Sequence, residues 1–555
     1  MEPPAKPSRR EFLKAGAAVG GGLALGLVLP DPLARPAGAA PASSMPNAWI
    51  RIGSDNRITI LSARSEMGQG VYTTMPTLVA EELEVDLGEI AVEIAPPGEP
   101  YVNAMLGGQL TGGSTSVAEG YDKLRIAGAQ ARTMLVTAAA RKWGVDASAC
   151  RAQNAVVRGP DGQQATYGEL ADAAARLPVP ADVKLKDHKD CRYVGKPVKR
   201  LDSPSKIDGT AEFGIDVKLP GMLHAALAQC PVIGGTVASL DDAKARSMPG
   251  VKHVVRISDG VAVVADTWWR ARAARDALVI KWDEGAGRTL DSEGIAAALK
   301  AAAAGPGAVI RKQGDADGGL KGAAKTLEAA YELPFLAHAT MEPMNFTADV
   351  RKDSCLICGP TQFQQLAAGV AAQVTGLKPE QITLRTTHLG GGFGRRIDAD
   401  FIAQAVEISK AVGAPVKLLW TREDDTTHDF YRPVSYHQLS GGLDAQGRPV
   451  AMTFRLTSPS VTARLFPPVV KDGLDPFMTE AAALPYDIPN QLVEVVIHDT
   501  GVRVGYWRSV SHALNAFANE SFMDEMALAA GKDPCEFRRA LLGKHPRLAH
   551  VLETA

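Results

Sequence analysis

The sequence predicts a multidomain protein of mixed α/β and α+β class, and three observations carry that expectation. A chain of 555 residues exceeds what a single hydrophobic core accommodates. Short β-branched runs alternate along it with alanine-rich stretches of helical period. Glycine-rich loops also stand where strand-like runs pass into helical ones. The richest is His388-Leu-Gly-Gly-Gly-Phe-Gly-Arg-Arg396, between a strand at 381–385 and a helix beginning near Phe401. Glycines at such a junction accept positive φ and let backbone N–H groups approach a ligand closely. Aimed at an anion, the loop is a phosphate or pterin cradle, with charge from Arg395 and Arg396. A tight structural turn is the plainer reading of the glycines, but bulky Phe393 among them calls for a pocket or a flat ligand. The dinucleotide fingerprint G-x-G-x-x-G fails, because Arg395 stands where its third glycine belongs.

Gly390-Gly-Gly-Phe-Gly-Arg395 resembles the first pterin-contacting motif of the xanthine dehydrogenase/aldehyde oxidoreductase molybdenum hydroxylases, most nearly in large subunits of the isoquinoline 1-oxidoreductase type. The resemblance implies a molybdopterin-binding domain interrupted by an α/β hammerhead domain. It implies a molybdenum–molybdopterin cofactor in the cytosine dinucleotide form, bound at Gly391, Gly392, Phe393, Gly394 and Arg395. It also implies a small [2Fe-2S] partner subunit and a cytochrome c as a further electron acceptor.

Sixty basic and 62 acidic residues leave a net charge of −2, which gives no footprint for nucleic acid. Six scattered cysteines are too few for a disulfide scaffold. Cys355-Leu-Ile-Cys358 lies in a strand-like run, where residues three apart face opposite ways, and reads as structural. A cluster on this chain would need four suitably spaced thiolates, so any iron–sulfur centre belongs to the partner.

From the start, Ser8-Arg-Arg-Glu-Phe-Leu-Lys14 precedes a weakly apolar run at 15–29, and residues 1–42 read as a twin-arginine export signal to the periplasm. The run is short against the ~20 residues of a spanning helix, so no stable transmembrane segment is expected. Residues 47–188 form a first block, opening on a hairpin across Gly53-Ser-Asp-Asn56, with a capping box at Thr166-Tyr-Gly-Glu169. Two of its loops enter helices and offer N–H and hydroxyl donors at positive helix ends. Ordinary N-capping explains each equally well. By resemblance they supply further cofactor contacts: Gly68, Gln69 and Gly70, then Gly113, Ser114, Thr115 and Ser116. Their place before the Gly390 loop marks the isoquinoline-oxidoreductase-like branch.

The polar stretch 184–192 reads as a linker. Residues 192–290 are expected as the hammerhead domain, with strands at 222–228, 253–257, 261–265 and 278–282 and a helix at 267–276. Residues 291–325 read as a connector, a helix followed by a flexible Gly/Asp stretch at 314–319. From 326 to 555 the cofactor-binding core resumes. His338 and Glu342 could pass for metal ligands four apart, but structural hydrogen bonds are expected, and no protein ligand to the metal is assigned. Gln362 is a possible cofactor contact. Arg508 is the expected catalytic arginine, polarising a substrate heteroatom or stabilising an oxyanion, with Tyr506 and Trp507 as pocket walls.

The resemblance implies oxidative hydroxylation of an aldehyde or an electron-poor N-heteroaromatic carbon, a small-molecule substrate. The family's base is a glutamate in a Gly-Glu-Pro-like segment, and none follows the glycine loops here. The chain is therefore expected to be truncated or completed by a second polypeptide, and not to turn over substrate alone. The alternative is a non-catalytic subunit that carries the cofactor.

Overall fold

The computed structural model describes residues 43–555; the stretch expected as a twin-arginine signal lies outside the described residues. The expected hairpin is present. Ile50 faces Ile60 and Ile52 faces Ile58 across a turn in which Asn56 takes positive φ. Strands Ser43–Asn47, Ile50–Gly53, Ile58–Ser62 and Ile90–Ile94 form a four-stranded sheet, the last joining in parallel. Helices Val71–Leu83 and Thr115–Trp143 cross on it so closely that a Cβ at Gly128 would lie 2.5 Å from the Val79 carbonyl oxygen. Thr166 and Glu169 close their capping box.

A seven-stranded sheet organises the middle of the molecule. Its order is Val251–Ile257, Gly260–Ala265, Leu223–Gln229, Val416–Leu419, Asn345–Val350, Cys355–Gly359, Ile382–Thr386. The strands expected between 192 and 290 are found within a residue or two, and Gly260–Ala265 is buried throughout, as its apolar run suggested. The sheet does not stop at 290, however. Leu223–Gln229 pairs in parallel with Val416–Leu419, so the strands expected as a separate domain and the strand before the glycine loop lie in one sheet. Helix Asp400–Val412 covers it with Phe401, Ile402, Ala405 and Val406 against Phe346, Ile357 and Trp420.

Lys325–Leu333, Ser435–Leu443, Pro449–Ser458, Asn490–Ile497 and Ala308–Gln313 make a five-stranded sheet packed on helix His512–Ala529. Here the flexible stretch expected at 314–319 is regular. Asp315 caps helix Ala316–Lys321, and Ala308–Gln313 is an edge strand. Local glycine content hid a segment whose order comes from pairing with residues 490–497.

The polar stretch 184–192 is clamped by two buried carboxylates. Glu81 accepts from the N–H groups of Arg192 (2.9 Å), Tyr193 (2.6 Å) and Val194 (3.2 Å) and from Lys186 Nζ. Glu82 receives Arg125 twice and the N–H of Lys186. Burial alone would raise the Glu81 carboxyl, but these donors outweigh it and hold it at about 2, against an ordinary 4.5. The depressed value stabilises the fold above pH 4.5, and that stability is lost as pH falls toward 2. Glu81→Gln should lower stability at pH 7 by about 3 kcal/mol and flatten the loss between about pH 5 and pH 2. Acid and denaturant unfolding followed by circular dichroism check both.

Candidate cofactor site

Three segments far apart in sequence meet around the glycine loop. The loop leaves strand Ile382–Thr386, His388 N–H donates to Glu212 O at 3.1 Å, and the N–H of Leu389 donates to Glu66 O at 3.0 Å. Gly390 N–H donates to Glu342 Oε2 at 2.8 Å and Gly394 N–H to Gln362 Oε1 at 3.1 Å. Gln362 Nε2 donates in turn to Thr111 O at 2.9 Å, which brings the 110–116 segment alongside. A Cβ at Gly392 would lie 2.8 Å from Met67 Sδ, so the 65–70 segment also abuts the loop.

The glycines divide by what surrounds them. Added Cβ atoms would meet Glu342 Cβ at 2.4 Å from Gly390, Gln362 Oε1 at 2.5 Å from Gly392 and Tyr506 O at 1.4 Å from Gly394. Those three are required by the protein's own packing rather than by a ligand. Gly68 and Gly70 differ: φ is +105° and +95°, and nothing lies within 4 Å of either Cβ position, so the space in front of them is open. Gly113 and Ser114 also take positive φ. Two of the eleven non-glycine residues with positive φ among the described residues, Ser114 and Phe393, fall in these segments, and Ala339 stands three residues before Glu342.

The donors divide in the same way. Among the described residues, the N–H groups of Gly391, Gly392 and Phe393 donate to nothing, although Gly392 is buried. Three successive free N–H groups in a loop of positive φ make an anion- or carbonyl-binding nest. The hydroxyls of Ser114 and Ser116, at the start of helix Thr115–Trp143, are likewise free among the described residues. These groups suit a pterin with a phosphate tail: a donor nest, an open glycine face and a helix N-terminus.

Other expected contacts are already engaged. Gln69 closes its own loop, accepting from Met67 N–H and donating to Ser65 O. Thr115 is buried, its hydroxyl on Gly112 O and receiving Asn103 Nδ2. Glu66, which the sequence reading passed over, places its carboxylate on the N–H groups of Gly68, Gly70 and Tyr72 and pairs with Arg200 at 2.8 Å. It therefore occupies the positive end of helix Val71–Leu83.

The charge expected from Arg395 and Arg396 is spent inside the protein. Arg395 is fully buried, bidentate to Asp400 (2.9 and 2.8 Å) and 2.9 Å from Asp429 through Nε, with Phe401, Trp420 and Phe430 around the guanidinium. Burial works against its charge, but these carboxylates outweigh that and raise its pKa. Arg396 holds Gly391 O and Glu342 O. His338 and Glu342 are structural, as expected. His338 Nδ1 lies 3.0 Å from Asp429, and Glu342 accepts from Ile215 N–H and Asn345 as well as Gly390. Burial would raise the Asp429 carboxyl, but the His338 hydrogen bonds and Arg395 hold it down.

Arg508 is not the buried group expected. It is exposed, with no hydrogen bond or ion pair among the described residues. The arginine of that stretch that turns toward the protein is the half-buried Arg503, which donates to His428 O and lies over Phe430. Tyr506 and Trp507 do reach the site, Tyr506 through its carbonyl at Gly394 and Trp507 through Nε1 to Ala337 O. Cys355 and Cys358 are buried in a strand, and burial pushes the Cys355 thiol up to about 12. Among the described residues no group of three or more His, Cys, Asp or Glu side chains is placed to hold a metal, and no helix is long and apolar enough to cross a membrane.

Gly394→Ala should cost about 4 kcal/mol or more, because its methyl would fall on a backbone carbonyl and neither chain can yield cheaply. Gly376→Ala, also at positive φ (+79°) but in open space, should cost about 1–2 kcal/mol. Denaturant unfolding of the two variants separates close approach from conformation.

Comparison with known proteins agrees with this arrangement. Two models of the molybdopterin cofactor-binding domain match, over residues 9–206 and 302–542, leaving the strands between 223 and 283 unmatched. Isoquinoline 1-oxidoreductase subunit beta of Brevundimonas diminuta is 31% identical over 99% of this chain and 76% of its own length. A membrane-bound aldehyde dehydrogenase (pyrroloquinoline-quinone) of Gluconacetobacter polyoxogenes is 29% identical over 90% of this chain and 67% of its own. In fold, quinoline 2-oxidoreductase of Pseudomonas putida 86 superposes with a TM-score of 0.50 at 19% identity. That likeness covers 62% of this chain and 49% of that one, so this chain spans about half of the solved structure. The glycine loop, the two segments that meet it and the two matched domains lead to one conclusion: the chain belongs to the molybdopterin-binding large subunits of the xanthine dehydrogenase family of molybdenum oxidoreductases.

Proposed function

We propose that this chain is the cofactor-bearing large subunit of a molybdenum hydroxylase that oxidises an aldehyde or an electron-poor N-heteroaromatic carbon, with oxygen drawn from water. Electrons leave through a small [2Fe-2S] subunit and then a cytochrome c. The observation that carries the reading is the run of three free N–H groups at Gly391, Gly392 and Phe393, together with the free hydroxyls of Ser114 and Ser116. Those groups would hold the pterin and the phosphates of its cytosine dinucleotide, with the positive end of the long helix behind the phosphates. The cofactor supplies the redox chemistry when bound. The chain's own residues orient and enclose it: Phe393, Tyr506 and Trp507 wall the approach, and Arg508 stands free to meet a substrate heteroatom or carboxylate. Arg9 and Arg10 support export to the periplasm by the twin-arginine route, which carries proteins already folded around a cofactor.

The second reading, a subunit that carries the cofactor without turnover, shares the same site and differs only in activity. Metal analysis with an absorbance scan of the purified complex tests the first requirement. Molybdenum and pterin in equal amounts support the proposal, whereas a quinone or flavin chromophore without molybdenum overturns it. Ser114→Asp should cut molybdopterin content about 10-fold or more by setting a carboxylate where a phosphate is held, with thermal stability within about 1 kcal/mol of the unmodified chain. Unchanged cofactor content would remove Ser114 from the site. Replacing Arg9 and Arg10 by lysine should strand the protein in the cytoplasm, and unchanged periplasmic yield on cell fractionation would end the export reading.

A further inference from the structure

The run Glu212-Phe-Gly-Ile-Asp216 leads into strand Leu223–Gln229 and lies between the two stretches matched as molybdopterin-binding domains. It nevertheless docks on residues that flank the glycine loop. Glu212 O accepts the His388 N–H at 3.1 Å, and the Glu212 carboxylate pairs with Arg385 of strand Ile382–Thr386. Gly214 approaches so closely that a Cβ there would lie 2.4 Å from both Asn345 Oδ1 and Pro360 Cδ.

Ile215 is held in another way, by buried ionisable side chains at both of its peptide groups. Its N–H donates to Glu342 Oε1 at 3.0 Å, and its carbonyl accepts from Lys417 Nζ. Ile215 is 42% exposed, so its own side chain anchors little. Glu342 carries the constraint onward. Its Oε2 takes the Gly390 N–H at 2.8 Å, and its own N–H donates to Gly390 O at 2.9 Å. A carboxylate is planar, so a donor that fixes one oxygen also aims the other.

Lys417 sits in strand Val416–Leu419, paired with Thr347 on one side and His224 on the other. It is 5% exposed, and its one side-chain hydrogen bond among the described residues is to Ile215 O. Burial pushes the ammonium down to about 8, from an ordinary 10.5, against the pull of Asp216, Glu212 and Glu342. A methionine would fill similar volume without burying a charge, so what the lysine adds there is its donor.

We propose that Lys417 is a positioning residue for the head of the glycine loop: by holding Ile215 C=O it keeps Ile215 N–H on Glu342, whose second oxygen holds Gly390. Through this latch the inserted strands take part in setting the loop, although neither Lys417 nor Ile215 belongs to the loop itself. The consequence for a bound cofactor rests on the proposed function, whereas the latch is read on the chain alone.

Two substitutions reach the latch from opposite ends. Lys417→Met keeps the packing and removes the donor to Ile215 O. Ile215→Pro removes the N–H given to Glu342. That position lies in a 3-10 turn, Gly214–Asp216, whose φ suits proline, and its N–H has no backbone partner. Amide exchange of the purified full chain, followed by mass spectrometry and corrected for intrinsic rate, should quicken about 10-fold at Gly390 in either variant. Because both act on one chain of contacts, the double variant should exchange no faster than about twice the faster single one, where independent effects would multiply to about 100-fold. Molybdopterin retained through gel filtration should fall in both single variants and no further in the double one.

Faster exchange confined to residues 212–216, with Gly390 as protected as in the unmodified chain, overturns the proposal, as does multiplication in the double variant. If Lys417→Met fails to fold, an unchanged Gly390 in Ile215→Pro overturns it alone. An unmodified chain that never holds molybdopterin, beside the non-additive exchange, would instead overturn the cofactor reading and leave the latch standing.

Discussion

Irregular backbone can be buried only where its N–H and C=O groups find partners, and the structure around the glycine loop depends on how this chain meets that constraint. No ladder of hydrogen bonds runs through residues 65–70, 110–116, 186–194 or 388–396. Buried side chains take its place. Glu66 accepts at the head of one helix, Glu81 accepts from three successive residues at 192–194, and Glu342 and Gln362 hold the two ends of the glycine loop. Each brings a polar group into the core that would be costly alone, and each is satisfied by the backbone it fixes. Among the described residues, the unpartnered donors at 391–393 lie in the loop whose sequence resembles a pterin contact, and the N–H groups of Gly112, Gly113 and Ser114 are left free in the same way.

What the sequence made legible was local. The strands near 222–228 and 261–265, the helix near 267–276 and the capping box at Thr166 and Glu169 all follow from periodicity or spacing over a few residues. The motif at 390–395 marked the candidate site, and His338 and Glu342 make the structural hydrogen bonds expected of them. Pairings across the chain left no local trace. Nothing near Arg395 announces Asp429, so a charge expected to face a ligand proved to be buried between two aspartates. Nothing near Arg508 shows that its side chain stands in solvent while Arg503 turns inward. The glycines show a subtler limit. Sequence indicates that a side chain is not tolerated at 390, 392 and 394, but only the fold shows that Glu342, Gln362 and Tyr506 occupy the space.

The sheet that joins the three strands between 223 and 265 to Val416–Leu419 has a consequence during synthesis. Leu223–Gln229 leaves the ribosome about 190 residues ahead of the strand that covers its open edge. At roughly 5–20 residues per second that is a delay of about 10–40 s, long compared with collapse or hairpin formation. Gly260–Ala265 and Val251–Ile257 can pair beside it within that time, since all three are contiguous in sequence. The nascent chain then carries a three-stranded ribbon with an apolar, uncharged edge at Ala225, Ala226 and Leu227. Such an edge accepts strands from any neighbour, including an identical nascent chain on the same messenger. Soluble yield should therefore depend on how fast residues 230–416 are translated, so that slow codons placed in that interval lower it and the same codons placed after 420 do not.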